Sequence, residues 1–215
     1  MKKIILLIFL IHFNIIFGFA SGYAWAQDRA VKVKQNVNTE GIFQFSIPST
    51  FLKITGNRLK ELKSQMIESG KELAESSRSA NSKDFTEKDL PFFSAYEPPD
   101  RKVTIVFLGQ QNSVISDREE MFRANEERIE WGKNSGRLSK NSKGVSRLTI
   151  DGFPSLLMDI SFKDGERLQT FTVFVSSFPK SLFGVTIQFK AGSYELYRES
   201  IAFLVDSLKI ALPKK

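Results

Sequence analysis

The sequence predicts an α+β domain, an antiparallel β-meander flanked by helices. Three observations carry that expectation. The last third alternates apolar and polar residues in four short runs broken by Asp-Gly turns. Outside it one segment places apolar residues at helical spacing, a second carries helix-capping signals, and a further helical run closes the chain. No internal repeat occurs at any fixed period.

Taken in order, Phe43, Phe45 and Ile47 alternate with Gln44 and Ser46, which makes the run from Gly41 to Pro48 a strand with three apolar side chains on one face. After the break at Thr55-Gly56-Asn57, Leu59, Leu62, Met66 and Leu73 form one stripe of a helix from about Asn57 to Glu75. Residues 76–90 are rich in Ser, Asn, Lys, Asp and Glu and read as a polar surface loop. Pro91 to Glu97 and Lys102 to Leu108 read as strands joined by Pro98-Pro99-Asp100. A second helix is expected from Asp117 to about Trp131, with Ser116 and Glu119 as a capping box and Gly132 as terminator. Gly144 to Ile150, Pro154 to Phe162, Arg167 to Val175 and Leu182 to Phe189 supply the meander. Its Asp164-Gly165 hairpin is expected in type I′ geometry, with φ positive at both residues. A helix from Ser193 to about Ile210 completes the domain.

The N-terminus is of another kind. Lys2 and Lys3 precede an apolar run from Ile4 to Ala20, and Ala24-Trp25-Ala26 offers a small-x-small cleavage site. This predicts a signal peptide over residues 1–26 and export to the periplasm or the extracellular space. The rival reading, an uncleaved anchor, is disfavoured because the run is interrupted by His12 and Asn14 and is short of the roughly 20 residues a spanning helix needs. Residues 27–40 then read as a flexible lead-in and 41–212 as one domain. No transmembrane segment is expected after cleavage.

Composition narrows the chemistry. The chain carries a net charge of +7. Loss of Lys2 and Lys3 with an acid-free segment leaves 29 cations against 24 acids, or +5. Cysteine is absent and the single histidine is His12. The exported chain therefore has neither imidazole nor thiol, which excludes Ser-His and Cys-His catalysis and the usual zinc sites. No cofactor or metal is expected.

Three segments resemble the PsbP-like α/β sandwich family of small exported proteins. These are Gly41-Ile-Phe-Gln-Phe-Ser-Ile-Pro48, Ile150-Asp-Gly-Phe-Pro-Ser155 and Ser200-Ile-Ala-Phe-Leu-Val-Asp-Ser-Leu-Lys209, and the resemblance spans roughly Gly41 to Ile210. It implies a three-layer sandwich around an antiparallel sheet and, for many members, a non-catalytic accessory role. The stretch between Asn57 and Leu90 is long for the pattern, and no family site residue is matched.

Candidate sites are few. Ser177-Phe178-Pro179-Lys180 matches Ser-x-x-Lys but lacks its companion motifs, and Pro179 suits a hairpin loop better than a helix start. Glu119-Glu120 and Glu126-Glu127 diverge by about 100° on a helix, whereas Glu119, Arg123 and Glu127 are spaced for a surface ion-pair ladder. Asp84, Glu87 and Asp89 lack the spacing of a calcium loop. The remaining feature is a basic segment, Lys133, Arg137, Lys140, Lys143 and Arg147, with no acid in the same span. It is suited to an anionic envelope component or an acidic protein. It lacks interleaved aromatics for nucleobase stacking, so nucleic acid is not expected. The reading is an exported, non-enzymatic accessory or binding protein with an unidentified partner. The alternative is a secreted hydrolase or transferase using carboxylates or a Ser/Lys pair. N-terminal sequencing of exported material is expected to begin at Gln27, and an intact Met1 on a membrane-bound product would establish the anchor instead.

Overall fold

The computed structural model describes residues 34–39, 42–76, 86–90, 92–110, 117–175 and 182–211. The signal-peptide segment, Ser116, Asp84 and the Ser177–Lys180 motif fall outside them. None of the described helices is long and apolar enough to cross a membrane. The strands are β1 (Lys34–Thr39), β2 (Phe43–Pro48), β3 (Leu52–Lys53), β4 (Phe92–Glu97), β5 (Val103–Gln110), β6 (Gly144–Ile150), β7 (Phe153–Ser161), β8 (Arg167–Phe174), β9 (Leu182–Phe189) and β10 (Lys209–Ile210). The α-helices are α1 (Gly56–Ser76), α2 (Arg118–Asn134) and α3 (Tyr194–Ser207).

Seven strands form one antiparallel sheet in the order β3-β4-β5-β9-β8-β7-β6, so the expected four-strand meander is present and joins β5 through β9. Its strands are apolar on both faces. On β5, Val103, Ile105 and Phe107 join one buried cluster while Val106 and Leu108 join another. Helix α1 covers the second cluster with Leu62 and Met66. Helix α2 covers the neighbouring part of the same face with Met121, Phe122 and Ile129 against Leu156, Met158, Ile160 and Leu168. The opposite face meets a small sheet, β1-β2-β10, together with α3. Phe43, Phe45 and Ile47 are all buried there, as the alternation predicts. Phe45 stacks on Phe107 at 4.2 Å, and Phe43 tilts against it at 5.5 Å. Such pairs add about 0.5–1.5 kcal/mol beyond their burial. The result is the three-layer α+β sandwich expected from the sequence.

Several local expectations are corrected. Lys34–Thr39 lies in the stretch read as a lead-in, yet it is strand β1, paired with β2 from Lys34↔Pro48 to Thr39↔Phe43. Val37 is the one apolar residue of this run and packs on the core, so the sequence leaves no apolar period to read. The last helix ends at Ser207 rather than near Ile210, and Lys209–Ile210 turn back to pair with Gln44 and Phe43.

The two Asp-Gly turns differ in type, and the type I′ geometry expected at Asp164-Gly165 is found at Asp151-Gly152 instead. Asp151 and Gly152, with φ of 48° and 82°, form the two-residue type I′ turn between the paired Ile150 and Phe153. At Asp164-Gly165 only the glycine has positive φ, 89°. The Phe162 N–H donates to the Glu166 carbonyl at 2.8 Å and the Gly165 N–H to the Phe162 carbonyl at 3.2 Å. This is a three-residue loop ending on a left-handed glycine, with the Asp164 carboxylate accepting from the Glu166 N–H at 3.0 Å.

Asp151 also joins distant parts of the chain. Its carboxylate accepts the Ile210 N–H at 2.9 Å and the Lys209 ammonium at 3.0 Å, which fastens the β6–β7 turn to β10. Burial pushes the Asp151 carboxyl up, but these two donors together pull it below the usual carboxylate range.

Two predictions follow from these turns. Gly165→Val forces a branched side chain into left-handed backbone, with its Cβ 3.3 Å from that of Ala191, and is expected to cost about 1–3 kcal/mol by chemical denaturation. An unchanged midpoint would show the loop to be loose. Asp151→Asn keeps an acceptor that tolerates positive φ but removes the charge, and is expected to cost about 1 kcal/mol near neutral pH. Because the folded carboxyl lies below its unfolded value, wild-type stabilisation is present above the unfolded pKa of about 3.9 and is lost as pH falls through the folded one. The deficit of the variant should therefore shrink on acidification, and a constant deficit would refute the ionic part of the contact.

Candidate anion-binding surface

The surface is organised by α2. Its N-cap is Asp117, whose side chain accepts the Glu120 N–H at 2.8 Å, one residue later than the Ser116–Glu119 box expected. The buried stripe of α2 is Met121, Phe122, Asn125, Ile129 and Gly132. Asn125 Oδ1 has no donor among the described residues. Gly132 lies inside the helix and does not terminate it. A Cβ there would stand 2.7 Å from Leu138 Cδ1, so glycine is required for the close approach of the following chain. The stop comes at Gly136, with φ of 71°. The Arg137 N–H donates to the Gly132 carbonyl at 2.9 Å and the Gly136 N–H to the Lys133 carbonyl at 3.1 Å, a complete Schellman motif.

The connection from α2 to β6 is tied down rather than loose. Leu138 bridges to Phe162. The Ser139 N–H donates to the Ser161 carbonyl at 2.8 Å. The Ser142 hydroxyl donates to that carbonyl and accepts the Ser161 N–H, each at 3.0 Å. Lys140 and Asn141 are left exposed at the tip of a turn closed by the Ser142 N–H on the Ser139 carbonyl.

The five cations singled out in the sequence divide into two groups. Arg147, on β6, reaches back to the first turns of α2. Its Nη2 and Nε donate to Glu119 at 2.6–3.2 Å, and its guanidinium lies 3.5 Å over the Phe122 ring. These bonds hold the Glu119 carboxyl below the usual carboxylate range. Glu119 is thus engaged with Arg147 and Arg118, and the Glu119–Arg123–Glu127 ladder does not form. The others gather about the opposite end of α2, about 18 Å along its axis at 1.5 Å per residue. Lys133 pairs with Glu130 at 3.0 Å. Arg137 stacks over the Trp131 ring at 4.8 Å. Lys140 and Lys143 are exposed and have no acidic partner among the described residues.

Two members of this surface were not marked in the sequence. Trp131 is 55% exposed, one of few large apolar side chains so placed among the described residues. It stands just outside the basic segment and was absorbed into the helix pattern. Lys163 belongs to the β7–β8 loop. Its Nζ lies 2.8 Å from where a Gly136 side chain would begin, so its ammonium rests against the turn that carries Arg137. The Leu138–Phe162 bridge and the bonds of Ser139 and Ser142 to Ser161 bring it there, and nothing local in the sequence announces it.

A second polar cluster is buried and differently occupied. Asp159, on β7, accepts from Arg167 Nε at 2.7 Å, Arg167 Nη2 at 2.5 Å and Gln169 Nε2 at 3.0 Å. The Arg167 guanidinium lies 3.5 Å over the Tyr194 ring. Both oxygens of Asp159 thus accept from neighbouring donors, and the Arg167–Tyr194 contact docks the cluster on the start of α3. Nearby Glu166 has its carboxyl raised by burial and by Asp164, with Gln188 donating to it at 3.4 Å. Glu87 pairs with Lys63 at 2.7 Å. Among the described residues no group of three or more acidic, imidazole or thiol side chains could hold a metal.

No protein-family model matches the chain, and no curated protein matches it. Several solved structures share its path. The solution structure of cyanobacterial PsbP from Synechocystis is 7% identical, with 89% of this chain and 98% of that one covered and a TM-score of 0.45. The Ran-binding protein Mog1p of Saccharomyces cerevisiae is 10% identical, with 83% and 96% covered and a TM-score of 0.39. A Pseudomonas aeruginosa protein of unknown function is 13% identical, with 55% and 78% covered and a TM-score of 0.39. At these identities the likeness is one of fold, and the PsbP-like sandwich suggested by the sequence is met again among the similar folds.

Proposed function

We propose that this chain is an exported, non-enzymatic accessory or binding protein of the cell envelope that engages an anionic partner through the C-terminal end of α2. Export rests on Lys2-Lys3, the apolar run that follows and Ala24-Trp25-Ala26. One observation carries the binding reading. Lys163 lies beside the Arg137 turn although it comes from a separate hairpin, so cations remote in sequence converge with exposed Trp131 on one surface. The α2 carbonyls do not need these charges, since Gly132 and Lys133 already receive backbone donors. Asp159 itself is paired with Arg167 and Gln169 rather than facing an open site.

Arg147 is left out of the test, because its loss would loosen α2 from β6. Replacement of Lys140, Lys143 and Lys163 by Gln should leave the denaturation midpoint within about 0.5 kcal/mol of wild type, as surface changes usually do. It should also move elution from an immobilised anionic polymer to markedly lower salt. Exposed charges are screened beyond about 8–10 Å at physiological ionic strength, so wild-type retention must itself fade as salt rises. Equal elution of wild type and variant would overturn the proposal.

A further inference from the structure

We infer that the anionic partner is a lipid bilayer bearing acidic headgroups, with Trp131 seated among them; this rests on the anion-binding reading above. The composition of the surface discriminates between partners. Protein interfaces place aromatic side chains at a centre depleted of lysine. Here the exposed indole has Arg137 over its ring, with Lys140 and Lys163 on the adjoining turns. An exposed amphipathic ring with cations beside it is the arrangement that settles at the headgroup level, the ring in the interface and the charges toward phosphate. Acids stand nearby too: Glu127 is exposed one turn before Trp131 on α2, while Glu130 and Asp164 are already engaged. Glu130 holds Lys133, and an Asp164 oxygen receives a backbone N–H. The turns beneath are fixed by the Schellman motif and the Ser139–Ser142 bonds, so the surface is presented without ordering a loop.

The experiment uses the chain from Gln27 to Lys215, which contains every described strand and helix and whose single tryptophan is Trp131. Vesicles of phosphatidylglycerol and phosphatidylcholine in equal parts should shift its fluorescence to shorter wavelength and sediment the protein, whereas phosphatidylcholine alone should do neither. Each cation near an anionic surface contributes roughly 1 kcal/mol, so joint Arg137→Ala, Lys140→Ala and Lys163→Ala should weaken vesicle binding about a hundredfold. Trp131→Phe should weaken it less. Retention on the anionic polymer without vesicle binding would overturn the lipid inference and leave the proposed function standing, with an acidic macromolecule as partner. Binding to neither would overturn both. Vesicle binding with unshifted fluorescence would overturn the placement of Trp131.

Discussion

Ile105 and Phe107 point one way from β5 while Val106 and Leu108 point the other, so the central strand can leave neither face of its sheet to water. Burying one large apolar side chain is worth about 1.5–3 kcal/mol, and the sheet presents many on each side. Two covers are therefore required. The chain supplies them from different regions, α1 and α2 on one face and β1-β2-β10 with α3 on the other. The layered architecture is the consequence of one doubly apolar sheet.

That demand also places the surface chemistry. Helix α2 must lie across β6, β7 and β8 to cover Leu156, Met158 and Leu168. The chain then has to reverse at once to start β6, which makes a tight stop at Gly136 necessary and sets the connection against the β7–β8 loop. The packing sets Arg137 over Trp131 and Lys163 against the neighbouring Gly136. Arg147 is drawn the other way, onto Glu119 and Phe122, where it fastens the helix.

Much of the fold was legible because period-2 alternation reports burial directly. Phe43, Phe45 and Ile47, and the four meander strands, lie where their patterns place them. What escaped was whatever depends on partners far away in the chain. Strand β1 has little apolar content and exists through its ladder with β2. The Asp-Gly pair announces a turn but not its length, and the strand register decides that Asp151 is left-handed and Asp164 is not. Gly132 looked like a stop because a glycine required for close packing is indistinguishable, in one sequence, from a glycine required for a left-handed cap. The basic segment was visible as charge, but charge alone does not reveal that Arg147 departs and Lys163 arrives.

The closure of the small sheet bears on when the domain can form. The Ser46 N–H donates to the Ser207 hydroxyl across 161 residues, and β10 completes the ladder of β2 beside it. Contacts so distant in sequence are slow to find one another, since a large loop must close before they stabilise anything. The layer built around Phe43 and Phe45 stays unfinished until the residues after α3 are free to return to it. Under the export proposed above, such late closure would keep the chain threadable during passage and defer final folding to the far side.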